Sequence, residues 1–100
     1  MYRGTTPTLN FLFDMDLEQL NIVAFYLSFK QGDTIVLEKE LADLKIDKNK
    51  VYIQLTQQET LKMDANKVIY IQARIKIDNE AYATNVVKAT LSEILKEGEI

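Results

Sequence analysis

Apolar and polar residues alternate along most of this chain, as they do in pleated strands that bury one face. In "TLNFLF", Leu9, Phe11 and Phe13 fall on one side, which predicts a strand over residues 8–13. "NIVAFYLSFK" repeats the pattern: Val23, Phe25, Leu27 and Phe29 share one face, with Ala24, Tyr26, Ser28 and Lys30 opposite. The glycine of "KQGD" marks a turn, and "TIVLEK" reads as the returning strand of a hairpin. In "KVYIQLT", Val51, Ile53 and Leu55 alternate with Tyr52, Gln54 and Thr56. The longest alternation is "KVIYIQARIKID", with Ile69, Ile71, Ala73, Ile75 and Ile77 on one face and Val68, Tyr70, Gln72, Arg74 and Lys76 on the other. At ~3.3 Å per residue this strand spans ~35 Å. "DNE" then supplies a turn, and "AYATNVVKATL" is expected to run back as a single antiparallel partner.

Helical signals are short. Thr56 and Glu59 have capping-box spacing in "TQQETLKM", which predicts one helical turn. "DLEQL" suggests another, with Asp16 as its N-cap. "ELADLKIDKNK" reads as a short strand or a loop, with "DKNK" as a turn. Leu91, Ile94 and Leu95 have helical spacing, and Gly98 is placed to end that turn. The sum is all-β: a small antiparallel β-sandwich of about six to seven strands with one or two short helical turns. Residues 1–100 form one domain, and residues 1–7 are expected to be an N-terminal arm or edge segment. Pro7, the only proline, sits just before the first strand, where a missing N–H costs little.

Composition narrows the chemistry. The chain has 100 residues, 47% of them hydrophobic and 27% charged, enough for one modest core. The net charge of −3 argues against a general nucleic-acid surface. There is no cysteine, so disulfides and thiolate metal sites are ruled out, as suits a protein made in a reducing cytoplasm. No signal peptide is readable at the N-terminus, and no segment approaches ~18 uninterrupted apolar residues, so no membrane insertion is expected.

Without histidine, a general base near neutral pH requires a strongly perturbed carboxylate or lysine. Ser28 and Ser92, the only serines, lie in no nucleophile-elbow pattern, and Gly4, Gly32 and Gly98 are too scattered to cradle phosphate. The acidic run Asp14, Asp16, Glu18 lacks the glycine and distal glutamate of an EF-hand loop, and a solvated turn with a helix cap accounts for it. No enzyme activity, metal or cofactor is therefore expected. Binding is the better class. Tyr26, Tyr52 and Tyr70 lie opposite the core face of their strands, where they suit sugar stacking or a protein interface. A strand partly buried on both faces, or a tyrosine covering a sheet edge, is the plainer account of them. Arg74 forms a basic strip with Lys76 beside Gln72, either a subunit contact or a wet face. Tyr2, Arg3, Thr5 and Thr6 belong to an opening segment that either adds a strand to a neighbour or is disordered until assembly.

"MYRGTTPTLNFLF", the "QGD" hairpin, "LTQQETLKM" and "NVVKATLSEILKEGEI" together resemble short proteins of Firmicute prophages. They are similar to the N-terminal domain of phage baseplate upper proteins, a small β-sandwich that attaches receptor-binding machinery to a tail. The resemblance implies a structural adaptor of a phage tail or baseplate, or of a phage-tail-like particle. Such a protein is made in the host cytoplasm, ends in the virion, and is present in several copies touching other tail proteins. Two other readings stay open: a small carbohydrate-binding module using the tyrosines, and a head or neck component of the same virion.

Overall fold

The fold is described from a computed structural model of residues 1–100. Its strands are β1 (Thr8–Leu12), β2 (Ile22–Gln31), β3 (Thr34–Glu40), β4 (Lys45–Asp47), β5 (Lys50–Gln54), β6 (Val68–Ile77), β7 (Glu80–Ala83) and β8 (Val87–Thr90). One helix, α1 (Gln57–Leu61), and two short 3-10 turns, Leu17–Gln19 and Leu41–Asp43, complete it. The strands make two antiparallel sheets. The smaller is ordered β1-β5-β4; the larger is β3-β2-β6-β7, with β8 also on β6. The all-β expectation holds, with eight strands rather than six or seven.

Alternation is what closes the two layers. Phe25, Leu27 and Phe29 of β2 and Ile69, Ile71, Ala73 and Ile75 of β6 are all buried, and so are Val51, Ile53 and Leu55 beneath β5. Leu17, Met63 and Leu91 join the same buried cluster from outside the strands. Each of these side chains larger than alanine contributes about 1.5–3 kcal/mol on burial. Two polar side chains share that burial, Thr60 and Gln31; Gln31 donates to the Asp64 carbonyl (2.9 Å) and accepts from the Asp64 amide (2.8 Å), which pins the loop before β6.

Three expectations are corrected. Val23 does not face the core with Phe25; it is 55% exposed. The pairing steps from Ile22↔Ile77 to Ala24↔Lys76, so Val23 is the extra residue of a β-bulge and Ile22 takes the inward side. "AYATNVVKATL" is not one strand. β7 covers Arg74–Ile77 and β8 covers Val68–Ile71, end to end along β6, with a one-residue register change at Thr84–Val86. The hydroxyl of Thr84 accepts the Ala73 amide (3.0 Å), and the Thr84 amide donates to the Ala73 carbonyl (3.0 Å). A side-chain oxygen thus replaces a ladder acceptor and holds the bulge. Residues 91–98 form no helical turn. Leu91 is buried, Leu95 is fully exposed, and Ser92 is drawn into a parallel bridge with Tyr2. The ambiguous "ELADLKIDKNK" resolves into the 3-10 turn, β4, and a turn in which Lys48 has φ 56°.

The layers differ in width. The larger sheet is four strands across, because β7 and β8 share one lane, and the smaller is three. On the β3 flank the excess is covered. Lys39, opposite Leu27 and so pointing inward, forms an ion pair with Glu59 of α1. Thr56 caps α1 by accepting the Glu59 amide (3.2 Å), and Glu59 accepts the Thr56 amide (2.9 Å). Desolvation raises the Glu59 pKa, but the Lys39 ammonium and the Thr56 bonds outweigh it and hold the carboxyl below its ordinary value.

A depressed folded-state pKa gives stability that is present above the unfolded value and lost as pH falls through the folded one. Glu59→Gln is therefore expected to lower the urea midpoint at neutral pH, and the gap from wild type to narrow as pH drops below about 4.5. A gap independent of pH counts against the ion pair. In the same assay Val23→Thr should stay within ~0.5 kcal/mol of wild type and Phe25→Ala should cost about 3–5 kcal/mol. Comparable losses at the two positions contradict the bulge.

Candidate protein-docking surfaces

The opening residues are bound to the body rather than held out as an arm. The amide of Ser92 donates to the Met1 carbonyl (2.7 Å) and the Arg3 amide to the Ser92 carbonyl (3.2 Å). Met1–Arg3 thus runs beside the end of β8 as a short parallel edge. The Arg3 guanidinium donates to the carbonyls of Met63 (2.9 Å) and Leu61 (3.1 Å) and pairs with Glu97 (2.9 Å). Those two carbonyls lie at and just beyond the end of α1, where unpaired acceptors favour a cation. Thr5 donates to the Tyr2 carbonyl (2.7 Å), buried Thr60 donates to the Thr5 carbonyl (2.9 Å), and Gln54 reaches the Thr6 carbonyl (3.4 Å). Gly4 has φ +69°, and a Cβ there would stand 2.9 Å from Ile94 Cδ1 and 3.3 Å from Leu61 Cδ2. The expectation that Tyr2–Thr6 orders only on assembly is corrected: the segment is a latch joining β8, α1 and the C-terminal residues. Of its side chains only Tyr2, 58% exposed, offers apolar surface.

The three strand tyrosines separate into two groups. Tyr26 and Tyr70 stand on the outer face of the larger sheet, both exposed, with Arg74 opposite Tyr26 and Lys30 opposite Tyr70. Lys88 reaches over the Tyr70 ring at 5.8 Å, within cation–π range. Glu38 and Glu40 lie beside Ser28 and Tyr26 on β3, so charge is graded across this face from acidic at one edge to basic along β6 and β8. Tyr52 is half-buried between Asn10 and Lys45 on the outer face of the other sheet. No single ligand platform joins it to Tyr70.

Opposite the closed β3 flank, the sandwich is open. A cleft of about 630 Å³ lies between β1 and the β7–β8 lane. Phe25, Leu27, Val51, Ile71 and Ala73 line its interior; Phe11 to Met15 form one wall, and Ala83 to Asn85 with Val87 the other. Phe13 packs edge-on against Phe25, with ring centroids 6.0 Å apart, and fixes the Asp14 end. The pairing places Tyr82 and Val87 opposite the buried Ile75 and Ile71, on the inward side, yet they are 47% and 49% exposed. They point inward and nothing covers them. The Tyr82 hydroxyl donates to Glu80 (2.6 Å), which holds its pKa above the ordinary value.

This cleft was not among the sites expected from the sequence. Its one available signal is "TNVV", where adjacent Val86 and Val87 break the alternation and so announce the bulge that forms one wall. No group of three or more acidic, histidine or cysteine side chains gathers anywhere as a metal site. No helix is long and apolar enough to cross a membrane. No protein-family model, curated protein or solved structure matches the chain.

Gly4→Ala combines a left-handed backbone with a crowded Cβ and should cost about 1–2 kcal/mol in urea unfolding. Hydrogen exchange should then quicken at Arg3 and Ser92 while β6 amides stay protected. An unchanged midpoint argues against the latch.

Proposed function

We propose that this chain is a structural adaptor working through protein–protein contacts, a component of a phage tail, baseplate or tail-like particle. The observation that carries the reading is the uncovered strip: inward-pointing Tyr82 and Val87 exposed beside an apolar cleft. Contiguous apolar surface open to solvent marks interaction sites. The graded outer face bearing Tyr26, Tyr70 and Arg74 offers a second contact suited to a neighbouring subunit. In a particle of many copies, two modest contacts per subunit suffice through avidity.

The tail setting rests on the resemblance of "YRGTTPTL" and "LTQQETLKM" to baseplate proteins. These two stretches touch each other in the fold, through Arg3 to Leu61 and Thr60 to Thr5, so they are read as the framework of such a domain and not as its contact residues. The carbohydrate-binding reading gains nothing comparable, because Tyr52 and Tyr70 lie on opposite outer faces.

Quantitative mass spectrometry of density-purified particles from the producing strain tests the proposal. The chain is expected at a fixed ratio to the tail proteins, and in tails separated from heads. Its absence from particles overturns the adaptor role, and recovery only with heads or necks overturns the tail position.

A further inference from the structure

We infer that the open cleft receives an extended segment of another protein, which pairs with β1 as a fourth strand of the smaller sheet. The inference rests on the adaptor reading and names the chemistry of the partner.

Three observations converge on this occupant. The first is the place where the smaller layer stops: it ends at β1, and no strand of it covers the inward-facing, exposed Tyr82 and Val87 of the β7–β8 lane across the cleft. The second is the hydrogen-bonding state of β1. The Pro7 carbonyl accepts the Leu55 amide (2.9 Å) and the Phe13 amide donates to the Asn49 carbonyl (2.8 Å). Antiparallel alternation then turns Leu9 and Phe11 toward β5 and leaves the N–H and C=O of Thr8, Asn10 and Leu12 on the free edge. No other part of the chain bonds to them. The competing edge across the cleft is less suited, because the Thr84–Val86 bulge interrupts it and Met1–Arg3 occupies its far end.

The third observation is charge. Asp14 is the only charged residue lining the cleft, at the Phe13 end. Asp16 and Glu18, both exposed, follow it in sequence. The fitting segment therefore has apolar side chains at alternate positions, to lie over Tyr82 and Val87. It has no acidic residue in its body, and carries a lysine or arginine where it passes Asp14. Strand addition of this kind takes affinity from the main chain and specificity from alternate side chains. This chain's own exposed tail, with Glu93, Glu97 and Glu99, has the wrong sign for the Asp14 end.

The test is selection of a displayed random heptapeptide library on the purified, folded chain. Enriched peptides are expected to alternate apolar residues and to carry a cation at one terminus; which terminus reads the direction of the added strand. Their synthetic forms should slow amide exchange at Thr8, Asn10 and Leu12. Asp14→Lys, on an exposed turn, should weaken cationic peptides about fivefold or more and favour versions ending in glutamate. Asn10→Pro removes one free-edge donor without touching the β5 ladder and should weaken binding roughly two- to tenfold.

A library that yields no enrichment overturns the inference, as does enrichment indifferent to both substitutions or protection confined to the Tyr26–Tyr70 face. Self-association of the chain alone that Asn10→Pro abolishes assigns the lane to a second copy and overturns the partner strand. Should Asn10→Pro fail to fold, Asp14→Lys decides. Particles that incorporate the folded Asp14→Lys and Asn10→Pro chains at the wild-type ratio refute strand addition while leaving the adaptor role standing.

Discussion

The pairing of β2 with β6 is the constraint from which the rest follows. Two ten-residue strands lie side by side and present Phe25, Leu27, Phe29, Ile69, Ile71, Ala73 and Ile75 to one side. That apolar face is too broad for either strand to bury against itself, so a second layer has to sit on it. The smaller sheet supplies that layer through Val51 and Ile53 of β5 and Leu55 just beyond it, with β1 and β4 as its edges. Everything else in the molecule manages what this arrangement leaves uncovered. On one flank α1 and the Lys39–Glu59 pair do so; at one end the Met1–Arg3 edge and Leu91 do so. Only the β1 flank has no internal solution.

Free strand edges are ordinarily hazards, blunted by charge, bulges or short length. All three devices are visible here. β7 and β8 are four residues each, separated by the bulge at Thr84, and β1 is five residues long with Asp14 just beyond its end. Short edges of this kind discourage open-ended sheet growth while leaving room for one specific segment. On the proposed strand addition, the same short edge that limits sheet growth would receive the partner segment.

The sequence discloses the strands far better than it does their edges. Period two is a property of each strand alone, so β2, β3, β5 and β6 are readable from their own residues, and the Thr56–Glu59 cap of α1 is equally local. What escaped depends on partners distant in sequence. Val23 looks like a core residue until Ile77 claims Ile22 instead. Leu91, Ile94 and Leu95 look helical until Tyr2, ninety positions earlier, bridges to Ser92. Arg3 reads as part of a free opening segment because the carbonyls it satisfies, at Leu61 and Met63, carry no signature of their own. The candidate site was hidden for the same reason: an empty lane is a property of two sheets compared, and no single segment records it.

The latch at Met1–Arg3 bears on how the molecule comes to be made. Its bonding partners lie at Leu61, Met63, Thr90, Ser92 and Glu97, so its contacts are complete only once residues as far along the chain as Glu97 have been made. Closure of so large a loop places this architecture among slow-folding topologies. Nascent chains therefore carry an unfinished β-edge until that later segment has been made, and crowding on a polysome exposes such an edge to mispairing with its siblings.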